Sequence, residues 1–91
     1  MIMEHYDLIY SKDFQKVFRK LDPTVQKLVA KWIKKNLENT TNPRIHGKAL
    51  KGDKKGLWRY RIGDYRLIVD IEDSQLIVLI LTFGHRSSIY K

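Results

Sequence analysis

Arginine is the residue type in this chain whose spacing most plainly suggests chemistry. Arg59, Arg61 and Arg66 flank the pair Gly63-Asp64. Glycine at the first central position suits a two-residue type II′ hairpin turn. With that turn, Ile62 lies opposite Tyr65, Arg61 opposite Arg66, Tyr60 opposite Leu67 and Arg59 opposite Ile68. Side chains alternate across a strand, so the three arginines share one face. Trp58, Tyr60, Ile62, Tyr65, Leu67 and Val69 share the other. A guanidinium is a rigid fork of donors that stays charged at any working pH, and three of them together suit an oxyanion such as a phosphate. Like charges directly opposite in a sheet are unfavourable. The bland alternative is therefore a solvated face of splayed arginines, partly balanced by Asp70 on the same face. A register slip of one residue would exchange the two faces.

The C-terminal tail adds His85, Arg86 and Tyr90. They follow a strand whose neighbour carries Arg66, so they are expected to fold back over the arginine face. Imidazole is the side chain suited to proton transfer near neutrality, and tyrosine can stack on a base or bond a phosphate. The alternative is an exposed His-Arg pair with Tyr90 packed at the sheet edge. His5 precedes the first strand and His46 lies in a loop; neither has a clear link to the cluster. The three histidines are too scattered to suggest a metal site, and no cofactor is expected. The chain has no cysteine, which excludes a thiol nucleophile, a disulfide framework and a thiolate zinc site.

The charge is uneven. Residues 44–66 hold eight cations, Arg44, Lys48, Lys51, Lys54, Lys55, Arg59, Arg61 and Arg66, against Asp53 and Asp64. That segment carries +6 of a net +8. Such a patch attracts a polyanion, most simply nucleic acid, although an acidic protein would also be drawn to it and a merely solvated basic face remains open. At 91 residues the chain is expected to form one domain over 1–91. No apolar run approaches the roughly 20 residues of a membrane span, and the first residues lack the basic and apolar parts of a signal peptide. A cytoplasmic protein without membrane contact is the expectation. Composition alone leaves an enzyme, a binding module and a subunit open.

The elements that must position these residues follow from periodicity. Residues 6–10 predict a strand with Tyr6, Leu8 and Tyr10 on one face. Ser11 suits an N-cap, and Phe14, Val17, Phe18 and Leu21 make one helical stripe. Asp22-Pro23 stops that helix and opens the next, because Pro fits the first helical position. Val25, Leu28, Val29, Trp32, Ile33 and Leu37 form the second stripe. Residues 44–55 predict a basic loop. Strands then follow over 57–62 and 65–72, Asp73-Ser74 is a turn, and 75–83 is an apolar strand expected inside the sheet, ended by Gly84. The fold class is α+β: strand, helix, helix, three strands, with a helical hairpin on one face of an antiparallel-rich sheet and the first strand beside the last.

In that order and at that length the sequence resembles a RelE-type toxin of a type II toxin–antitoxin pair, in the RelE/ParE superfamily. The resemblance runs along almost the whole chain. Its segments are Lys48-Ala49-Leu50-Lys51-Gly52, the run Gly56-Leu57-Trp58-Arg59-Tyr60-Arg61-Ile62-Gly63-Asp64-Tyr65-Arg66-Leu67, and the ending Phe83-Gly84-His85-Arg86-Ser87-Ser88-Ile89-Tyr90. It implies a fold like that of small microbial ribonucleases, and an endoribonuclease that cuts translated mRNA in the ribosomal decoding site. It also implies an antitoxin wrapped around the toxin in a hetero-oligomeric complex. Partners would then be the antitoxin, the ribosome with its ribosomal RNA, and mRNA. The implied reaction uses no metal: the 2′-hydroxyl attacks the adjacent phosphate and leaves a 2′,3′-cyclic phosphate and a 5′-hydroxyl.

The resemblance also implies roles. Arg66 and Arg86 would hold the scissile phosphate. Arg61 and Arg59 would add charge or hold neighbouring backbone, with Lys48, Lys51, Lys54 and Lys55 along the RNA. Tyr90 would stack on or orient the attacked nucleotide. Arg59 and Arg61 stand where some members carry lysines. Arginine practically cannot give up its proton, so His85 becomes the candidate general base or acid. The tail is shorter than in some members, without their final helix. Two alternatives are a ParE-like toxin acting on DNA gyrase and a non-catalytic RNA-binding regulatory module.

Overall fold

The computed structural model describes residues 4–52 and 56–89. Lys54, Lys55 and Tyr90, named above as site candidates, lie outside the described residues. The elements are β1 (Asp7–Tyr10), α1 (Lys12–Lys20), α2 (Pro23–Asn36), β2 (Gly47–Ala49), β3 (Leu57–Ile62), β4 (Tyr65–Glu72) and β5 (Ile77–His85). The strands form one sheet in the order β1-β5-β4-β3-β2. Only the β1–β5 pair is parallel. The α+β class, the pairing of the first strand beside the last and the interior place of that last strand all agree with the sequence reading.

Both helices start as their caps dictate. The Ser11 side chain accepts from the Phe14 amide, and Asp22 accepts from the Thr24 amide with Pro23 at the first helical position. Phe14, Val29, Ile33 and Leu37 are buried, and they meet Tyr60, Ile62, Leu67, Val69, Ile71, Val78, Ile80 and Phe83 from one face of the sheet. Burying an aliphatic or aromatic side chain contributes about 1.5–3 kcal/mol, so this single layer of contacts holds the helices to the sheet. Leu28, placed on the inner stripe by spacing, is instead 46% exposed. It sits at the margin of the stripe, where the sheet does not reach. No described helix is long and apolar enough to cross a membrane.

Two strand boundaries differ from expectation. The predicted loop at 44–55 contains β2, whose Gly47, Lys48 and Ala49 pair with Tyr60, Arg59 and Trp58. Three residues are too few to show a period of two, and pairing with β3 makes the strand. Its glycine answers to packing: a Cβ on Gly47 would come within 2.9 Å of the Tyr60 ring. The last strand runs two residues later than predicted, at both ends. The turn before it extends to Leu76, which has φ +53 and packs against the core. A left-handed leucine is uncommon, and nothing in an apolar run announces it. Gly84 lies within the strand rather than ending it.

Candidate nucleic-acid interface

The β3–β4 register is the one expected: Arg61 opposite Arg66, Arg59 opposite Ile68, Ile62 opposite Tyr65. Gly63 has φ +61 while Asp64 is not left-handed, as a type II′ turn requires. Tyr60, Ile62 and Leu67 enter the helix-side core, so Arg59, Arg61 and Arg66 stand on the far face. Strand β2 lengthens that row, because Lys48 pairs directly with Arg59. Two like-charged pairs, Lys48–Arg59 and Arg61–Arg66, therefore lie side by side on one face. Neighbouring strands are about 4.8 Å apart, so four cations are concentrated across three strands.

The arginines are not equivalent. Arg61 and Arg86 are exposed and Arg59 is half-buried, whereas Arg66 is only 8% exposed. Arg66 is thus part of the packed surface and not of a solvated arginine face. Its Nη1 donates to the carbonyls of Tyr65 (2.8 Å) and Gly63 (3.1 Å). A buried guanidinium is tolerable when such acceptors replace its water. The carbonyl between them, that of Asp64, accepts the backbone N–H of Arg86 at 2.9 Å. Three successive carbonyls at the hairpin turn are thus occupied by the Arg66 guanidinium and the Arg86 backbone N–H, which sets the Arg86 backbone at one end of the face.

The tail folds back through Ile89, not through the His85 expected there. Gly84 pairs with Arg66, and a Cβ on it would point at the Ile89 side chain, 3.2 Å away. Ile89 therefore lies over the arginine face. His85 does not. It pairs with Tyr65 and meets that ring edge-on, with centroids 5.8 Å apart, on the helix side of the sheet. The cause is a bulge: Ile68 pairs with Thr82 but Val69 with Ile80, which leaves Leu81 as an extra residue. One extra residue inverts the alternation beyond it. The Nδ1 of His85 also accepts the Ser87 amide at 3.2 Å and lies 2.8 Å from the Ser87 hydroxyl. An accepting Nδ1 leaves the proton on Nε2 in the neutral ring, so His85 is arranged to donate a hydrogen bond rather than to abstract a proton.

Beside the row lies a shallow cleft of about 260 Å³, lined by Ile45, His46, Gly47, Lys48, Arg59 and Arg61. Behind Gly47 lies the Tyr60 ring. The Tyr60 hydroxyl donates to the Pro43 carbonyl, and the Tyr60 and Trp32 rings lie 5.2 Å apart. Burial pushes the Tyr60 phenol well above its ordinary range, so it stays protonated. Next to Pro43, Arg44 stacks on Trp58 at 5.5 Å and makes a bidentate bridge to Asp73, both contacts 2.9 Å, while Tyr6 donates to the same carboxylate at 2.7 Å. Arg44 belongs to the basic run by sequence but is committed to this bridge. Lys51 is exposed just beyond β2. His46 is the residue the sequence reading left aside. The signal that finds it is the β2–β3 register: Gly47 opposite Tyr60 puts His46 one step beyond, level with Arg61.

The profile of a family described as the ParE toxin of the type II toxin–antitoxin system parDE matches residues 8–90. The chain belongs to the RelE/ParE superfamily of toxins. It is similar to a protein of Escherichia coli described as RelE-like toxin, 32% identical over 88 residues, which are 93% of this chain and 90% of that one. Among solved structures, the RelBE2 toxin–antitoxin complex of Mycobacterium tuberculosis has a chain 28% identical, with a TM-score of 0.81 over 96% of this chain and 98% of the other. The isolated RelE toxin of E. coli is also 28% identical, with a TM-score of 0.70 over 93% and 90%. In this RelE/ParE toxin, the cation row and the bound hairpin turn gather positive charge on the face away from the helices.

Proposed function

We propose that this toxin is an endoribonuclease that cuts translated mRNA on the ribosome and is neutralised by a cognate antitoxin. The observation that carries the reading is the four-cation row Lys48, Arg59, Arg61 and Arg66 on the face away from the helices, with Arg86 tied to its end through the Asp64 carbonyl. RNA cleavage by its own 2′-hydroxyl passes through a crowded, doubly charged phosphorane. Fixed donors aimed at that charge are the largest contribution a protein can make. Exposed Arg61 and Arg86 are suited to contact the scissile phosphate. Arg66 holds the turn through Nη1 and supplies its charge from beneath. Arg59 and Lys48 extend the charge along the neighbouring backbone, with Lys51 just beyond β2; for Lys54, Lys55 and Tyr90 the RNA-facing roles are those the resemblance implies. The relatives crystallised as toxin–antitoxin complexes support the antitoxin partner.

The experiment is to induce the chain briefly and map mRNA 5′ ends, with and without ongoing translation. New 5′-hydroxyl ends that need translation are the expected result. The match to the ParE family favours a second reading, a toxin acting on DNA gyrase. In that case replication fails first and no new mRNA ends form, and the nuclease reading falls.

A further inference from the structure

We propose that His46 is the general base of the cleavage reaction, a step that rests on the nuclease reading above. Base catalysis here needs a group with an available lone pair beside the phosphate-binding cations, and a neutral imidazole is one such group. Guanidiniums do not supply one, since arginine stays protonated. His85 stands on the wrong face with Nδ1 already accepting. His5 precedes β1, at the opposite edge of the sheet from β2.

His46 meets the requirement by position and by chemistry. It is exposed at the sheet edge, and the residue lines the cleft together with Lys48, Arg59 and Arg61. Its ring nitrogens make no hydrogen bond among the described residues. Its orientation is nevertheless set. The Trp32 ring meets it edge-on with centroids 6.4 Å apart, and the chain on either side is pinned by the Tyr60–Pro43 hydrogen bond and by the pairing of Gly47 with Tyr60. Ile45, 67% exposed beside it on the cleft wall, offers an apolar surface on which a nucleobase can rest.

The reaction then balances without a further reagent. A phosphate of the RNA backbone lies across Arg61 and Arg59, and His46 takes the proton of the 2′-hydroxyl. The 2′-oxygen forms a bond to phosphorus as the bond from phosphorus to the 5′-oxygen breaks. The leaving oxygen takes a proton from water, and imidazolium later returns its proton to solvent. Among the described residues, the charged groups that line the cleft with His46 are Lys48 on β2 and Arg59 and Arg61 on β3, while the ring contact from α2 is the uncharged Trp32.

The test compares the full-length chain with its His46→Gln, His46→Ala and His85→Gln variants on programmed ribosomes. Cleavage rate is measured against pH. Binding is measured separately, with an mRNA carrying 2′-methoxy groups at the mapped cleavage site, which cannot be cut. For His46→Gln the expected loss of rate is about 10²–10⁴-fold, the usual contribution of acid–base catalysis. Binding of the blocked mRNA stays as in the parent chain, and the rise of rate with pH that the parent shows disappears. Added imidazole restores part of the rate to His46→Ala, because the open cleft admits it. A His46→Gln chain that cuts at the parent rate, keeps the rising limb, or loses binding as much as rate overturns the assignment. So does loss of that limb in His85→Gln alone. In each of those cases the parent chain still cuts and the nuclease reading stands. A parent chain that leaves translated mRNA intact removes both.

Discussion

At the scale of single residues, the structure divides cations that look alike in sequence. Arg61 is exposed and has no part in the packing, so Arg61→Ala is expected to lower cleavage by about 10²–10³-fold, the usual effect of removing one fixed donor, with an unchanged melting temperature. Arg66 differs because its guanidinium closes the hairpin turn. Arg66→Ala leaves the Gly63 and Tyr65 carbonyls without their donor, and a lost buried hydrogen-bonding group costs about 1–3 kcal/mol. That variant is expected to lose both cleavage and stability, read by a ribosome assay and a denaturant melt in parallel. Asp73 is the residue-scale source of pH dependence. The Arg44 guanidinium first, then the Tyr6 hydroxyl, hold its carboxyl below the ordinary range. A carboxyl with a depressed pKa stabilises the fold above its unfolded range, and that contribution is lost as the pH falls through the folded value. Asp73→Asn should therefore melt lower than the parent at neutral pH and converge with it in acid. Parallel melting curves across that range would separate Asp73 from the acid sensitivity.

At the scale of elements, most of what failed to show in the sequence traces to pairing. The arginine face was legible because a two-residue turn and a strict period of two settle the β3–β4 register. The Leu81 bulge was not, because it lies in a continuous apolar run where every residue fits either face. That one insertion decides that His85 and Arg66 part company while Gly84 and Arg66 meet. Strand β2 was hidden because Lys48 owes its place to Arg59 across the ladder, and with it went the meaning of His46. Ser11 shows how firmly the bulge is built in. Its hydroxyl donates to the Leu81 carbonyl at 2.6 Å, its N–H donates to the Ile80 carbonyl at 2.9 Å, and the same hydroxyl accepts the Phe14 amide as cap of α1. One side chain thus joins β1, α1 and the bulge. Ser11→Ala removes a cap and a bulge contact together. A cap alone is worth about 0.5–2 kcal/mol, and the upper end of that range is expected here in a denaturant melt. A loss confined to a few tenths would mean that the bulge holds without it.

For the whole molecule, the decisive feature is where the sheet puts its two kinds of surface. One face is consumed by the helices and the apolar core; the other carries the cation row, with the tail turn and Ile89 folded over its end. Four cations, Lys48, Arg59, Arg61 and Arg66, are thus concentrated on the face that the helices leave uncovered. Concentrated charge has a measurable signature. Each cation that neutralises an RNA phosphate releases a counterion, so affinity falls with salt, with a log–log slope of about −0.7 per phosphate contact on single strands. Removing a cation that touches RNA should make that slope shallower by about 0.7. Removing one elsewhere on the surface should leave the slope nearly alone, although it changes net charge equally. Lys48→Ala and Arg61→Ala are the test, with Lys27→Ala on the exposed side of α2 as the comparison. Binding to an uncleavable mRNA on the ribosome is measured from low to moderate salt. Equal slopes for all three variants would show that RNA senses only the overall charge. A shallower slope for the sheet variants alone ties binding to the row that the β2–β3–β4 register assembles.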